Sequence, residues 1–354
     1  MSASESMLAS DKLDSRSCIL FQDEKKSVFL LDIPRSLEEA QVLPGQAPPH
    51  RILSGVPISA PFPTPEPKDA DIRRHGLEPS ALWADLMTGA AVKGALDVLL
   101  EHHTGPFCLS RITRQNETAA LSEDEFTHFI PIKSHYLDGS VEEKRGNFIE
   151  EAPPFDLILL DPPWPNRSVK RKRDGYATAS TIAATRSLLS QIPVASHLAA
   201  DGLVAVWVTN KPSLVELLTA SGTGMLTEWG LELVTEWTWL KITSTGQPMF
   251  DLDSTWRKPW ERLLIARRIG SRAKVPQRVL LAVPDIHSRK PNLRPVFDDV
   301  LPQGFVGLEV FARNLTAGWW SWGNEALRFQ ERNQWVTSYE ADTATHTPRA
   351  PHDK

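Results

Sequence analysis

Phe155-Asp-Leu-Ile-Leu-Leu160 runs directly into Asp161-Pro-Pro-Trp164, and this junction decides the fold. Its first six residues form a short apolar β run that opens an alternating stretch. A helix is expected over Ser180 to Gln191, a β run over Leu203 to Thr209 and a helix over Ser213 to Thr219. Further β runs follow at Val234 to Ile242, Arg262 to Arg268, Val279 to Val283 and Val306 to Phe311. Strands this uniformly apolar are buried on both faces, and the interleaved helices supply the cover. The pattern therefore predicts an α/β fold with a mostly parallel sheet and helices on both faces. Ligands of such sheets bind beyond the carboxyl ends of the strands.

The strand ends carry a coherent polar set: Asp161-Pro162-Pro163-Trp164, then Thr209-Asn210-Lys211-Pro212, then Glu309-Val-Phe-Ala-Arg313-Asn314. An aspartate leaving a buried strand is not core, and two consecutive prolines donate no backbone hydrogen bonds, so the chain there is stiff and offers carbonyl acceptors. A carboxylate, a fixed carbonyl and an indole plane at one point suit a planar ligand with an exocyclic amino group. The acceptors take its two N–H bonds and the indole stacks on its ring. Standing alone, Pro-Pro-Trp reads better as a stiff turn beside a surface aspartate; its place at a strand end favours the ligand.

Working outward, 354 residues with 41% hydrophobic and 23% charged side chains match ordinary globular usage and exclude a fully disordered or fibrous chain. Cys18 and Cys108 alone supply neither a disulfide framework nor a structural zinc site. Charges scattered through the first thirty residues leave no apolar core for a secretory signal. The longest apolar runs, Leu203 to Val208 and Val279 to Val283, are strand-sized and fall far short of the roughly 20 residues that span a bilayer. No membrane association is expected. A net charge of -5 argues against coating nucleic acid through the overall field, so phosphate binding must come from a local patch.

The chain is asymmetric: of its 12 tryptophans, Trp83 alone precedes residue 164. Ile19 to Phe21 and Val28 to Ile33 are expected as a hairpin across the turn Gln22 to Lys26. Pro44, Pro48, Pro49, Pro57, Pro61, Pro63, Pro65 and Pro67 then rule out a helix or central strand and predict an extended linker or wrapping arm. Pro79 to Leu100 has helical spacing (Leu82, Leu86, Val92, Leu96, Leu99), with Gly89 and Gly94 as breaks. Gly89 to Gly94 lacks the ending of a phosphate loop, and no Gly-x-Gly-x-x-Gly follows a β run, so nucleotide-loop readings have no support. The expected organisation is an N-terminal extension with its Pro-rich linker (1–71), a small helical accessory region (72–127), a catalytic domain (128–335) and a disordered tail (336–354).

Asp161-Pro-Pro-Trp164 is joined by Trp207-Val-Thr-Asn210, Glu236-Trp-Thr-Trp-Leu-Lys-Ile-Thr243, Lys258-Pro-Trp-Glu261, His287-Ser-Arg-Lys-Pro291, Leu308-Glu-Val-Phe-Ala-Arg-Asn314 and Trp320-Ser-Trp-Gly-Asn-Glu325. Together these resemble the MT-A70 family of adenine-N6 methyltransferases, and within it the methyltransferase-like-four branch. The resemblance covers about half the chain. It implies a Rossmann-like methyltransferase fold, S-adenosyl-L-methionine as cofactor, and transfer of methyl to N6 of adenine without a metal. It further implies Asp161, Pro162, Pro163 and Trp164 as the catalytic turn and Lys290 for the methionine carboxylate. By the resemblance Arg313 and Asn314 would hold the ribose region, Asn324 and Glu325 the adenine edge, and Asp138 would face the cofactor from Pro131-Ile-Lys-Ser-His-Tyr-Leu-Asp138, while Glu309, an acid at a strand tip, is itself suited to accept from ribose hydroxyls. The transfer needs alignment and charge stabilisation more than a strong base.

For the substrate, the resemblance and position beside Asp161 point to Asn166, Arg167, Ser168, Lys170 and Arg171 in a basic loop that meets phosphates, with Tyr176 to stack. A basic run alone reads more often as a solvated loop or a nuclear-localisation patch. Asn210, Lys258, Trp260 and Glu261 complete the expected substrate set. Trp260 departs from the branch's usual tyrosine, which keeps stacking area and changes the polar handle. Three readings stay open: a methyltransferase on RNA, with 2′-O-methyladenosine in small nuclear RNA as the branch's implication; the same chemistry on DNA; or an inactive nucleic-acid-binding subunit. The intact Asp161 motif, Lys290 and Asn314 speak against the last. A nuclear location follows from the family's substrates.

Overall fold

A computed structural model of the chain describes residues 17–63, 79–113, 128–165, 181–254 and 257–337. Its strands are β1 (Ile19–Gln22), β2 (Val28–Leu31), β3 (His50–Ile52), β4 (His135–Asp138), β5 (Phe155–Leu160) and β6 (Leu198–Val208), followed by β7 (Leu231–Lys241), β8 (Trp260–Arg268), β9 (Arg278–Ala282), β10 (Gly307–Val310), β11 (Trp320–Gly323) and β12 (Trp335–Thr337). Ten of them form one sheet in the order β1-β2-β9-β7-β8-β6-β5-β10-β11-β4, and β3 pairs with β12 in a separate ribbon. β5 runs parallel to β6 and β10, β10 to β11, β11 to β4, and β9 to β7 and β2. β8 is antiparallel to both its neighbours, β6 and β7.

The uninterrupted apolar runs are explained by burial on two sides. Along β5, Ile158 and Leu160 enter one core with Val204, Val206 and Val208 of β6, and helices Ile182–Ser190 and Pro212–Thr219 cover this face. Leu157 and Leu159 point the other way, into a second core with Leu203, Ala205, Trp207, Trp237 and Phe297. Successive strand residues face opposite sides, so both alternating sets must be apolar.

The N-terminal residues are built into this sheet. The expected hairpin forms, with Ile19 paired to Leu31, and β2 then runs parallel to β9, so Val28 and Leu30 pack with Val279 and Leu281. Asp32 caps the helix Ile33–Ala40 by accepting from Arg35 N, as an N-cap carboxylate does. The Pro-rich stretch wraps as far as it is described: Phe62 N donates to Met249 O, and Ile58 O accepts from Ser244 N.

The helical region differs from expectation. Pro79–His102 is one continuous helix that passes through both Gly89 and Gly94. Its second half is held by tertiary packing of Val92, Ala95, Leu96 and Leu99 over Leu240, Trp260 and Leu281, which outweighs the roughly 1 kcal/mol helix penalty of each glycine. Leu82 and Leu86, expected on the apolar stripe, are exposed. Among the described residues, no helix is long and apolar enough to cross a membrane, and no group of three or more His, Cys, Asp or Glu is placed to hold a metal ion.

Candidate active site

Topology gathers the site at one rim. β5, β6 and β10 are parallel, so Asp161, Thr209 and Phe311 leave the sheet side by side. β8 runs the other way, with Arg262 opposite Val208 and Trp260 opposite Leu240, so its first residues reach that same rim. Glu261 thus joins Asp161 although it starts a strand and Asp161 follows one. The passage leaving β9 delivers Lys290 to the same place.

Lys290 is the hub. Its Nζ lies 3.3 Å from Asp161 Oδ2 and 2.9 Å from Glu261 Oε2, and 5.3 Å from the centre of the Trp207 ring. Lys241 holds Glu261 from the other side at 2.5 Å. Burial alone would lower the Lys290 pKa, but the carboxylates of Asp161 and Glu261 hold it above the ordinary lysine value. Burial likewise opposes ionisation of Glu261, yet Lys290 and Lys241 draw its pKa down to about 2. Asp161 goes the other way: burial lifts it, Lys290 opposes, and the Glu261 charge adds to the rise.

A small, open cleft has Asp161, Lys290, Glu309, Arg313 and Asn314 in its wall. Leu159, Trp207 and Ser288 are also in the wall. Glu309 sits beside Leu159 in register, and its pKa rises to about 8 because burial and the nearby Asp161 charge disfavour ionisation against the pull of Arg313 and Lys290. Two lining residues other than glycine, Ser288 and Phe311, hold left-handed φ values of 70° and 63°. Such backbone strain costs on the order of 1–3 kcal/mol each and gathers at binding sites.

Other expected residues lie elsewhere. Arg313 Nε donates to Glu325 at 3.1 Å, and Arg328 pairs with the same carboxylate at 2.8 Å, so Glu325 is one contact removed from the cleft. Asn324 and Asp138 are exposed and do not line it. Trp164 does not offer a stacking plane: it is 8% exposed within the core, and its Nε1 donates to Trp207 O at 2.8 Å, which pins the turn after Pro162 and Pro163. Trp260 departs in the same way, buried at 2% beneath the helix Pro79–His102. Lys258 is bound to Asp85 of that helix at 3.1 Å, and Asn210 Nδ2 donates to Trp260 O at 2.6 Å, so both tie the rim together. Asn166, Arg167, Ser168, Lys170, Arg171 and Tyr176 lie outside the described residues.

Sequence reasoning missed Lys241, Trp207 and Ser288. Lys241 and Trp207 sit in apolar β runs where a cation or an indole reads as strand filling. The usable signal was their position, each within two residues of a strand's rim end.

The MT-A70 family model matches residues 155–325, which contain Asp161 and all the lining residues of the cleft named above. The chain is 53% identical over 330 residues to the N6-methyladenosine RNA methyltransferase MTA1 of Cryphonectria parasitica, covering 90% of this chain and 94% of that protein. It is 43% identical over 372 residues to the protein of the same name from Pyricularia oryzae, covering 92% and 98%. The human N(6)-adenine-specific methyltransferase METTL4 is 35% identical over 225 residues, covering 59% of this chain and 45% of METTL4. With a rim-mounted Asp161-Pro-Pro-Trp164 beside a charged cleft, and with likeness running nearly end to end, this chain belongs to the MT-A70 family.

Proposed function

We propose that this protein transfers a methyl group from S-adenosyl-L-methionine to N6 of adenine in RNA. The observation that carries the reading is the Asp161 carboxylate, 23% exposed in the wall of the cleft and held at 3.3 Å by Lys290. RNA is favoured over DNA because both fungal relatives, similar over almost their whole length, are named as RNA methyltransferases.

The residues present fit the cofactor. Lys290 supplies a cation for its carboxylate, Glu309 and Asn314 supply hydrogen-bonding groups for its ribose, and the strained Phe311 and Ser288 shape the wall between them. When bound, the cofactor supplies a methyl group on a positively charged sulfur. Asp161 accepts a hydrogen bond from the adenine amino group, orients the nitrogen and stabilises the positive charge that develops on it. The proline pair keeps the acceptor from reorganising during the reaction. Trp164 acts by fixing that turn through Trp207 O.

The test is methyl incorporation into matched RNA and DNA oligonucleotides, with and without a 2′-O-methyl group on the target adenosine. N6-methyladenosine in the RNA arms supports the reading. Label confined to DNA reassigns the substrate, and no label in any arm with folded protein and saturating donor refutes the activity.

A further inference from the structure

Between β9 and Lys290 the chain runs through Val283–Arg289, and two guanidinium groups are buried against that passage. Arg289 Nη1 donates to the Asp285 carboxylate and, at 2.8 Å, to Leu53 O, with its guanidinium 4.6 Å from the Phe329 ring centre. Arg111 grips the same passage, donating from Nη1 to Pro284 O at 2.9 Å and Gly55 O at 3.2 Å, and from Nη2 to Val283 O at 2.8 Å. Asp285 accepts from Gly55 N at 2.8 Å and lies 3.7 Å from Arg111 Nη1. The side chains of Arg111, Asp285 and Arg289 are 2%, 0% and 1% exposed.

This is a poor device for stability alone. Asp285 directly contacts both buried cations, with the buried carboxylates of Asp32 and Glu38 acting on Arg111 and Arg289 from farther off, and Nε of both arginines, with Nη2 of Arg289, lacks a hydrogen-bond partner among the described residues. Apolar side chains of similar volume commonly do as well or better in such positions. What the cluster does fix is backbone, because its donors end on the carbonyls of Leu53, Gly55, Val283 and Pro284. Directly downstream, Ser288 takes its left-handed conformation and accepts from Arg313 at 3.3 Å, and two residues later Lys290 reaches Asp161.

We propose that Arg111 and Arg289 are positioning residues for the cofactor cleft. They clamp the segment Leu53–Gly55, which lies ahead of the family-matched region, onto the passage that delivers Ser288 and Lys290. Donor affinity is thereby set partly by the N-terminal segment. The inference rests on the cofactor reading above, and its test separates the two.

Arg111→Lys and Arg289→Lys keep the charge and remove the forked geometry. Calorimetric titration of the full-length protein with S-adenosyl-L-methionine is expected to show Kd raised at least tenfold in each folded variant, with the KM for RNA changed less than twofold. A merely structural role lowers thermal stability and leaves donor Kd within twofold of wild type at a temperature where the variants are folded; that result overturns the clamp. Should both variants fail to fold, amide hydrogen exchange of the wild type decides. Saturating donor is expected to slow exchange at Gly55 along with 285–290, and no change at Gly55 overturns the proposal. Wild-type protein that binds no donor refutes the cofactor reading itself, and the clamp with it.

Discussion

Lys290 Nζ stands 3.3 Å from Asp161 Oδ2, so the acceptor proposed for the adenine amine is tied to the cation proposed for the donor carboxylate. Even with this partner, burial keeps the Asp161 pKa above its ordinary 3.8, so the ionised acid is less comfortable in the fold than in the unfolded chain. Asp161→Asn is therefore expected to leave the thermal midpoint at pH 7 unchanged or raised. Calorimetric melting checks this, and a large fall would assign Asp161 to structure.

Glu261 has the opposite sign. Its folded pKa of about 2 lies below the ordinary 4.5, so it contributes stability that is fully present above pH 4.5 and is lost as pH falls through about 2. The shift corresponds to roughly 3 kcal/mol at neutral pH. Glu261→Gln should reduce the unfolding free energy at pH 7 by about 2–3 kcal/mol and flatten its dependence between pH 2 and 4.5, as read from urea titrations.

Glu309 reverses the dependence again. With a folded pKa of about 8 against 4.5, the native state holds an extra proton in that interval, so stability declines as pH rises from 4.5 to about 8. The contribution is at most about 1.4 kcal/mol per pH unit and is reduced by the solvent that reaches this half-buried group. Glu309→Gln should remove this decline, which paired denaturation curves at pH 5 and pH 8 measure.

Trp260 lies in the core with Val92 and Leu240. Trp260→Ala is expected to destabilise the fold by about 3–5 kcal/mol, the range for large buried aromatics. A stacking residue at the surface would instead lose RNA affinity with little change in stability, so equilibrium unfolding and RNA titration of one variant separate the two.

The alternation of apolar runs made the sheet legible, and its strand ends pointed to Asp161, Glu309, Arg313 and Asn314 before any geometry was known. Glu261 was recognised by its motif, but its partnership with Lys290 depends on β8 running antiparallel, and sequence periodicity carries no strand direction. The burial of Trp164 and Trp260 was not legible, because an indole beside a strand end suits a ligand wall and a core equally well, and both sheet faces here are covered. Arg111 and Asp285 left no signal, and Arg289 stood inside the His287–Pro291 motif with nothing to give it a role. Charged residues in a loop read as surface, and only the return of Leu53–Gly55 across the passage buries them. The N-terminal residues read as an extension because hydrophobic pattern says nothing about which sheet a hairpin joins.

The most direct measurement is the initial rate of methyl transfer to an adenosine-containing RNA by wild-type protein and by Asp161→Asn, each first shown by calorimetry to bind S-adenosyl-L-methionine. The asparagine should keep donor Kd within a few-fold and lose about a hundred- to a thousandfold or more in rate, the scale set by removing one group that stabilises developing charge. An Asp161→Asn protein that binds donor and methylates RNA at a rate near wild type would contradict the account.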